Sequence, residues 1–178
     1  AFRLGSLDVS RRLPLPVPAP VLSGLAERAR AAYLPAYRIE TFTRVPDALL
    51  APLCACMSRV ESDAPSGELE WEEEALTPER LRGFAELDEH VGRLRITSVA
   101  REAESGEVVG YTELFIIGGT TKALQSGTFV VSEHRGHRLG LGLKVANLVA
   151  LQTYRPDAVE IFSINNAENT WMVAVNEE

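Results

Sequence analysis

The stretch Ser126-Gly127-Thr128-Phe129-Val130-Val131-Ser132-Glu133-His134-Arg135-Gly136-His137-Arg138-Leu139-Gly140-Leu141-Gly142-Leu143-Lys144 changes character twice. It opens as a short apolar, β-branched run, which reads as a strand. It passes through a basic turn that carries glycine. It then acquires apolar residues at Leu139, Leu143, Ala146, Leu148 and Val149, a helical spacing. A strand, a turn and a helix N-terminus in that order make an anion site. The first N–H groups of a helix lack intrahelical acceptors, and the helix dipole points the same way. Arg135, Arg138 and Lys144 add positive charge. The stretch therefore reads as a pyrophosphate cradle. The plainer alternative is an ordinary strand-to-helix turn with solvated arginines. No glycine run is followed by Lys and Ser/Thr, which excludes a Walker loop. No Gly-x-Gly-x-x-Gly follows a first strand, which argues against a dinucleotide fingerprint.

Working outward, the segment 139–152 is predicted to be a helix, ended near Arg155-Pro156-Asp157. A strand at 159–164 and a helix from Ala167 follow. Upstream, 94–101 and 108–117 read as a hairpin around Ala103-Glu104-Ser105-Gly106-Glu107, and 123–131 as the next strand. Earlier still, 37–44 alternates as a half-buried first strand. Pro46-Asp47 opens a helix to about residue 59, which Pro52 is expected to kink or divide. Thr77-Pro78-Glu79 is an N-cap followed by proline at the first helical position, opening a helix to about residue 90. Residues 21–34 form a helix. The alternating prolines of residues 13–20 read as an extended lead-in, and residues 1–12 as a trailing segment. The domain expectation is a lead-in over 1–20 and one α/β (α+β) domain over 21–178.

The 178 residues suit one domain with a sizeable core. A formal charge of -7 argues against a general nucleic-acid or anionic-membrane binder. No apolar run approaches spanning length, and no signal peptide is visible. Cys54 and Cys56 are one residue apart in a helical pattern and poorly placed to bridge each other. No matching His/Cys cluster supports a metal. These features point to a reduced, cytoplasmic protein. The polar loop 61–76 holds Glu68, Glu70, Glu72, Glu73 and Glu74 around Trp71. It reads as a solvated loop, or more sharply as a rim attracting a cationic acceptor. The first residue is not Met and the last two are Glu177-Glu178. The chain is therefore expected to be incomplete at both ends.

Arg135-Gly136-His137-Arg138-Leu139-Gly140, after Thr128-Phe129-Val130-Val131, resembles the acyl-CoA loop of the GNAT superfamily of N-acetyltransferases. That family's pattern is Arg/Gln-x-x-Gly-x-Gly/Ala. Arg135 and Gly140 match its ends, and Arg138 replaces its middle glycine. The likeness widens through Gly110-Tyr111-Thr112-Glu113-Leu114, Gln125, Thr128 and Leu143-Lys144-Val145-Ala146-Asn147-Leu148. It extends to Asn166-Ala167-Glu168-Asn169-Thr170-Trp171. Those residues are similar to a GNAT subfamily often found as two tandem domains, and the chain resembles the second of them.

The resemblance implies a mixed, mostly antiparallel sheet flanked by helices. Its fourth and fifth predicted strands (123–131 and 159–164) would run parallel and splay apart around acetyl-CoA. Backbone amides near Phe129, Val130 and Val131 would hold the pantetheine and thioester. Residues Arg135, Gly136, His137, Arg138, Leu139 and Gly140 would hold the pyrophosphate, with Asn169 as a further cofactor contact. Transfer to an amine needs a base, for which Glu113 and His134 are the candidates. Burial would desolvate Glu113 and suit it to that role; a structural carboxylate is the even alternative. His134 has a plainer structural or solvated reading, and His137, in the phosphate loop, either assists binding or faces solvent. The family's usual proton-donating tyrosine falls on Asn176, which cannot serve alike. Three functions follow: an acetyl-CoA-dependent N-acetyltransferase acting on a small-molecule or protein amine, a non-catalytic acyl-CoA-binding or scaffolding domain, and an interaction module without cofactor. A second GNAT domain or a second copy is the implied protein partner.

Overall fold

The computed structural model describes residues 8–63 and 76–166. Among them six strands form one sheet: β1 (Asp8–Pro14), β2 (Tyr37–Phe42), β3 (Arg93–Glu102), β4 (Val108–Ile117), β5 (Lys122–Val130) and β6 (Glu160–Asn166). The order across the sheet is β1-β6-β5-β4-β3-β2. Every neighbouring pair is antiparallel except β5 and β6, which run parallel. Four helices flank the sheet: α1 (Ala19–Tyr33), α2 (Asp47–Asp63), α3 (Pro78–His90) and α4 (Leu139–Tyr154). A single 3-10 turn, Ser132–His134, links β5 to α4. The parallel pair follows from its connection, since a helix between two strands returns the chain in the same direction.

Side-chain alternation divides the sheet into two faces. Ile96, Leu114, Ile116 and Ala123 pack with Leu22 of α1 and with Leu148 and Leu151 of α4. Val99, Tyr111 and Phe129 point the other way and pack with Leu53 and Cys56 of α2. Ile96, Leu143 and Leu151 are wholly buried. Side chains of this kind contribute roughly 1.5–3 kcal/mol each relative to exposure. α4 lies close on its neighbours at Gly142, where a Cβ would meet Ile39 at 2.7 Å and Tyr33 at 3.1 Å. Thr77 caps α3 as its sequence suggests, its hydroxyl accepting from the Arg80 N–H at 3.3 Å with Pro78 at the first position.

Two sequence expectations need correction. Residues 8–14 are not a trailing lead-in: they form β1, which pairs antiparallel with β6 from Asp8↔Asn166 to Pro14↔Glu160. The prolines that suggested a linker begin only where β1 ends, and α1 starts at Ala19. Pro52 does not divide α2, which runs unbroken to Asp63 and so past the expected residue 59. β6 is not an edge strand, because β1 lies along it. Among the described residues no helix is long and apolar enough to cross a membrane.

Candidate functional site

The parallel strands part company halfway along. β5 pairs with β6 only from Lys122↔Glu160 to Gln125↔Ser163. Beyond that point β6 continues beside β1 as far as Asn166, and β5 continues beside β4 as far as Val130. The cause is local. The pairs Thr112↔Thr128 and Leu114↔Gln125 bracket one residue on β4, Glu113, and two on β5, Ser126 and Gly127. A bulge of this kind bends its strand and ends regular pairing. Polar side chains fix it in place. The Gln125 amide donates to Thr112 Oγ1 at 2.9 Å and to the Glu113 carbonyl at 2.7 Å. The Thr112 and Thr128 hydroxyls lie 2.6 Å apart, and Thr112 also donates to the Gly127 carbonyl at 3.2 Å. Behind them stands Asn147 of α4, fully buried. It accepts from Ser98 Oγ at 2.6 Å and donates to the carbonyls of Ile96 at 3.1 Å and Thr112 at 3.3 Å.

Past the bulge, the backbone of β5 offers donors to the split. The Val131 N–H is taken by the Val109 carbonyl at 2.9 Å. Because antiparallel pairs alternate, Phe129, opposite Tyr111, also turns its N–H toward β4. Thr128 and Val130 turn theirs away, toward the side β6 has left. Of the three residues expected to hold a pantetheine, Val130 alone presents its amide there, and Thr128, which the sequence did not single out for this, joins it. Phe129 contributes a buried side chain instead.

The loop that follows is a compact backbone device. Gly136 has φ 87°, and Arg138 sits in the left-handed region at φ 53°, ψ 25°. Arg138 thus adopts a conformation that glycine would take freely, and the turn forms without one. For a residue with a Cβ this costs about 1–2 kcal/mol. α4 then starts at Leu139 with no side-chain cap. Its first intrahelical bond runs from the Gly142 N–H to the Arg138 carbonyl at 3.0 Å. The N–H groups of Leu139, Gly140 and Leu141 come before it and have no acceptor within the helix. Arg135 reaches back, its Nε donating to the Val130 carbonyl at 3.0 Å. Glu133 is tied to Arg59 of α2 at 2.7 Å. Hydrogen bonds from Ser132 and Arg59 hold its carboxyl down at about 2.

Glu113 and His134 are not brought together. Glu113 points to the α2/α3 side, into a cavity of about 760 Å³ also lined by Leu50, Leu53, Met57, Leu81, Phe84 and Tyr111. Its side chain is 16% exposed, on the sheet face it shares with Tyr111, and its carboxylate is paired with Arg95 at 3.1 Å. Arg95 continues to the buried Asp88 of α3 at 2.6 Å, which also binds Arg93. His134 belongs to another neighbourhood. Its Nδ1 lies 3.0 Å from the Tyr37 hydroxyl, with Glu102 at 3.9 Å. Tyr37 packs with the α1 and α4 residues and stacks at a tilt on His137, ring centroids 5.1 Å apart. The histidines of the loop therefore brace it against β2. Asn169, Asn176 and the glutamates of 68–74 lie outside the described residues.

Sequence reasoning missed Asn147, the Asp88–Arg95–Glu113 chain and the bulge. An asparagine inside an apolar helical run and a glycine inside a strand were the available signals.

The sheet's parallel neighbours thus part beside an uncapped helix N-terminus. Comparison with solved structures makes this specific. A tandem GNAT protein from the clavulanic acid biosynthesis pathway superposes with TM-score 0.68 at 24% identity, over 97% of this chain. The match covers 48% of that protein, so this chain spans about half its length. The ribosomal-protein-S5-alanine acetyltransferase of Vibrio fischeri matches with TM-score 0.61 at 15% identity, over 80% of this chain and 77% of its own. The Salmonella typhimurium protein yncA, solved with its cofactor acetyl-CoA, matches with TM-score 0.55 at 15% identity, over 79% and 77%. No family model and no curated protein sequence matches the chain. The fold of the chain is GNAT-like.

Proposed function

We propose that this domain binds acetyl-CoA in the split between β5 and β6 and transfers the acetyl group to an amine. The observation that carries the reading is the parting of the two strands at Gln125↔Ser163, directly upstream of an uncapped α4. The residues fit the cofactor. The outward amides of Thr128 and Val130 suit a pantetheine chain. The N–H groups of Leu139, Gly140 and Leu141 suit a pyrophosphate, with Arg135 and Arg138 supplying positive charge beside it. The cofactor would supply an activated acyl thioester. The chain's own task is to hold that group in one orientation and bring an amine to it with its lone pair free. The acceptor would approach through the cavity beside Glu113, whose carboxylate can take the amine proton once Arg95 yields part of the pair. Two buried free cysteines, Cys54 and Cys56, agree with a cytoplasmic setting.

A second reading is an acyl-CoA-binding domain without catalysis, partnered by a second GNAT domain. It is favoured by the ion pair that engages Glu113 and by the distance in the fold between Glu113 and His134. Calorimetry with acetyl-CoA tests what both readings share. Binding in the micromolar range, lost in Gly140→Asp, is expected, and a folded wild-type chain that binds nothing would remove both. An amine screen for released CoA then separates them.

A further inference from the structure

Tyr111 stands two residues before Glu113 on β4 and lines the same cavity. Its ring is buried beside Phe129, with centroids 6.4 Å apart. Its hydroxyl reaches the bulge: a Cβ at Gly127 would lie 3.3 Å from it. A glycine at that position thus leaves room for the phenol at the point where β5 leaves β6. Buried tyrosine hydroxyls usually find a partner. This one makes no hydrogen bond among the described residues, and it is not a sealed orphan either, so it opens onto the cavity. A donor is therefore held by packing alone over Gly127, just past the point where β5 leaves β6.

We propose that Tyr111 is a catalytic hydrogen-bond donor, its hydroxyl donating to the thioester sulfur as the carbon–sulfur bond breaks. The inference rests on the acetyl-CoA reading above. The amine nitrogen forms its bond to the carbonyl carbon while the carbon–sulfur bond opens, and the electron pair of that bond leaves on sulfur. The thiolate is held by Tyr111 and takes up the proton that the amine gives away, passed through water or Glu113, so that free thiol and amide are the products. Tyr111 itself keeps its proton. Burial, with the Glu113 charge in addition, pushes its phenol well above the ordinary tyrosine value. That suits a permanent donor and is unfavourable for a group that must release a proton on each turnover.

The test compares wild type with Tyr111→Phe, using free CoA and acetyl-CoA as probes. Thiolate absorbance gives the titration of the bound CoA thiol, and calorimetry gives affinity. A hydrogen bond that favours the thiolate should make the bound thiol titrate about one to two units lower in wild type than in Tyr111→Phe. Acetyl-CoA affinity should change by no more than about threefold. With an active amine, kcat should fall by roughly 10- to 100-fold with KM nearly unchanged. Gly127→Ala, which keeps the phenol but crowds its hydroxyl, should shift the thiol in the same direction by less. It carries the test should Tyr111→Phe fold poorly. Equal thiol titration in wild type and variant would overturn the role of Tyr111 while leaving acetyl-CoA binding intact. Failure of wild type to bind either probe would overturn the acyl-CoA reading and this inference with it.

Discussion

Truncating Asn147 to alanine should remove about 3 kcal/mol of stability. The side chain has no exposed surface and makes three neutral hydrogen bonds, to Ser98, Ile96 and Thr112. Each is worth about 1 kcal/mol net, and partners left buried without a mate add to the loss. Ser98 is cushioned, because its hydroxyl also lies 2.6 Å from Thr41 Oγ1 and can turn to it. The Ile96 and Thr112 carbonyls keep their places in the β3–β4 ladder but lose their second donor. Ser98→Ala alone should therefore cost roughly 1 kcal/mol, and the double variant less than the sum, with a coupling of about 0.5–1 kcal/mol. Urea unfolding followed by far-ultraviolet circular dichroism reads these differences, with the slope expected to stay constant. A loss below about 1 kcal/mol for Asn147→Ala would refute the reasoning, as would a more stable Asn147→Leu. Either result would mean that the network is ornamental and that the bulge stands without it.

Backbone strain at Arg138 predicts a rank order in thermal melts: Arg138→Gly should stabilise by up to about 1 kcal/mol, and Arg138→Val should destabilise, the opposite of what loss of a surface charge alone would give. Gly142→Val should cost about 1–3 kcal/mol by driving α4 off Ile39 and Tyr33, measurable by the same denaturation. Burial pulls the Lys144 ammonium down to about 8. An unfolded lysine titrates near about 10.4, so between those values the unfolded chain holds the extra proton and stability climbs with pH. Lys144→Met should accordingly stabilise at pH 7, by a margin that narrows as the pH rises from 8 to 10. Burial pushes the Cys56 thiol up to about 12 and raises Cys54 as well. Neither should react with a disulfide reagent at pH 8 until the chain unfolds, and prompt native labelling would contradict the packing.

Much of the central fold is legible from periodicity. The β3–β4 hairpin, β5, α4 and the parallel return to β6 each carry the strand or helix spacing that forms them. The junction between β5 and α4 is legible too, since the β-branched run ends at Val131 and the helical spacing of apolar residues begins at Leu139. What escaped has a common physical origin. Residues 8–14 look like a tail because their partner, β6, lies about 150 residues away in sequence, and local pattern holds no record of such a pairing. The bulge at Ser126 and Gly127 depends on the match between two strands, and one strand read alone does not show it. Glu113 could be placed on a strand, but its pairing with Arg95 and the distance of His134 from it arise from tertiary packing.

The place of β1 has a kinetic consequence. Strands β3, β4 and β5 follow one another with short turns and can pair early, at little cost in chain entropy. β1 has nothing to pair with until β6 has been laid beside β5, and β6 holds to β5 over only four register positions against seven with β1. The outer pair should therefore assemble last and open first. Amide protons of residues 8–13 and Glu160–Asn166 should exchange together, well ahead of those in β3 and β4, as one cooperative unit of low local stability. One wall of the split would then be its slowest part to be built and its quickest to yield, while the bulged wall, fixed by Gln125, Thr112 and Asn147, stays in register.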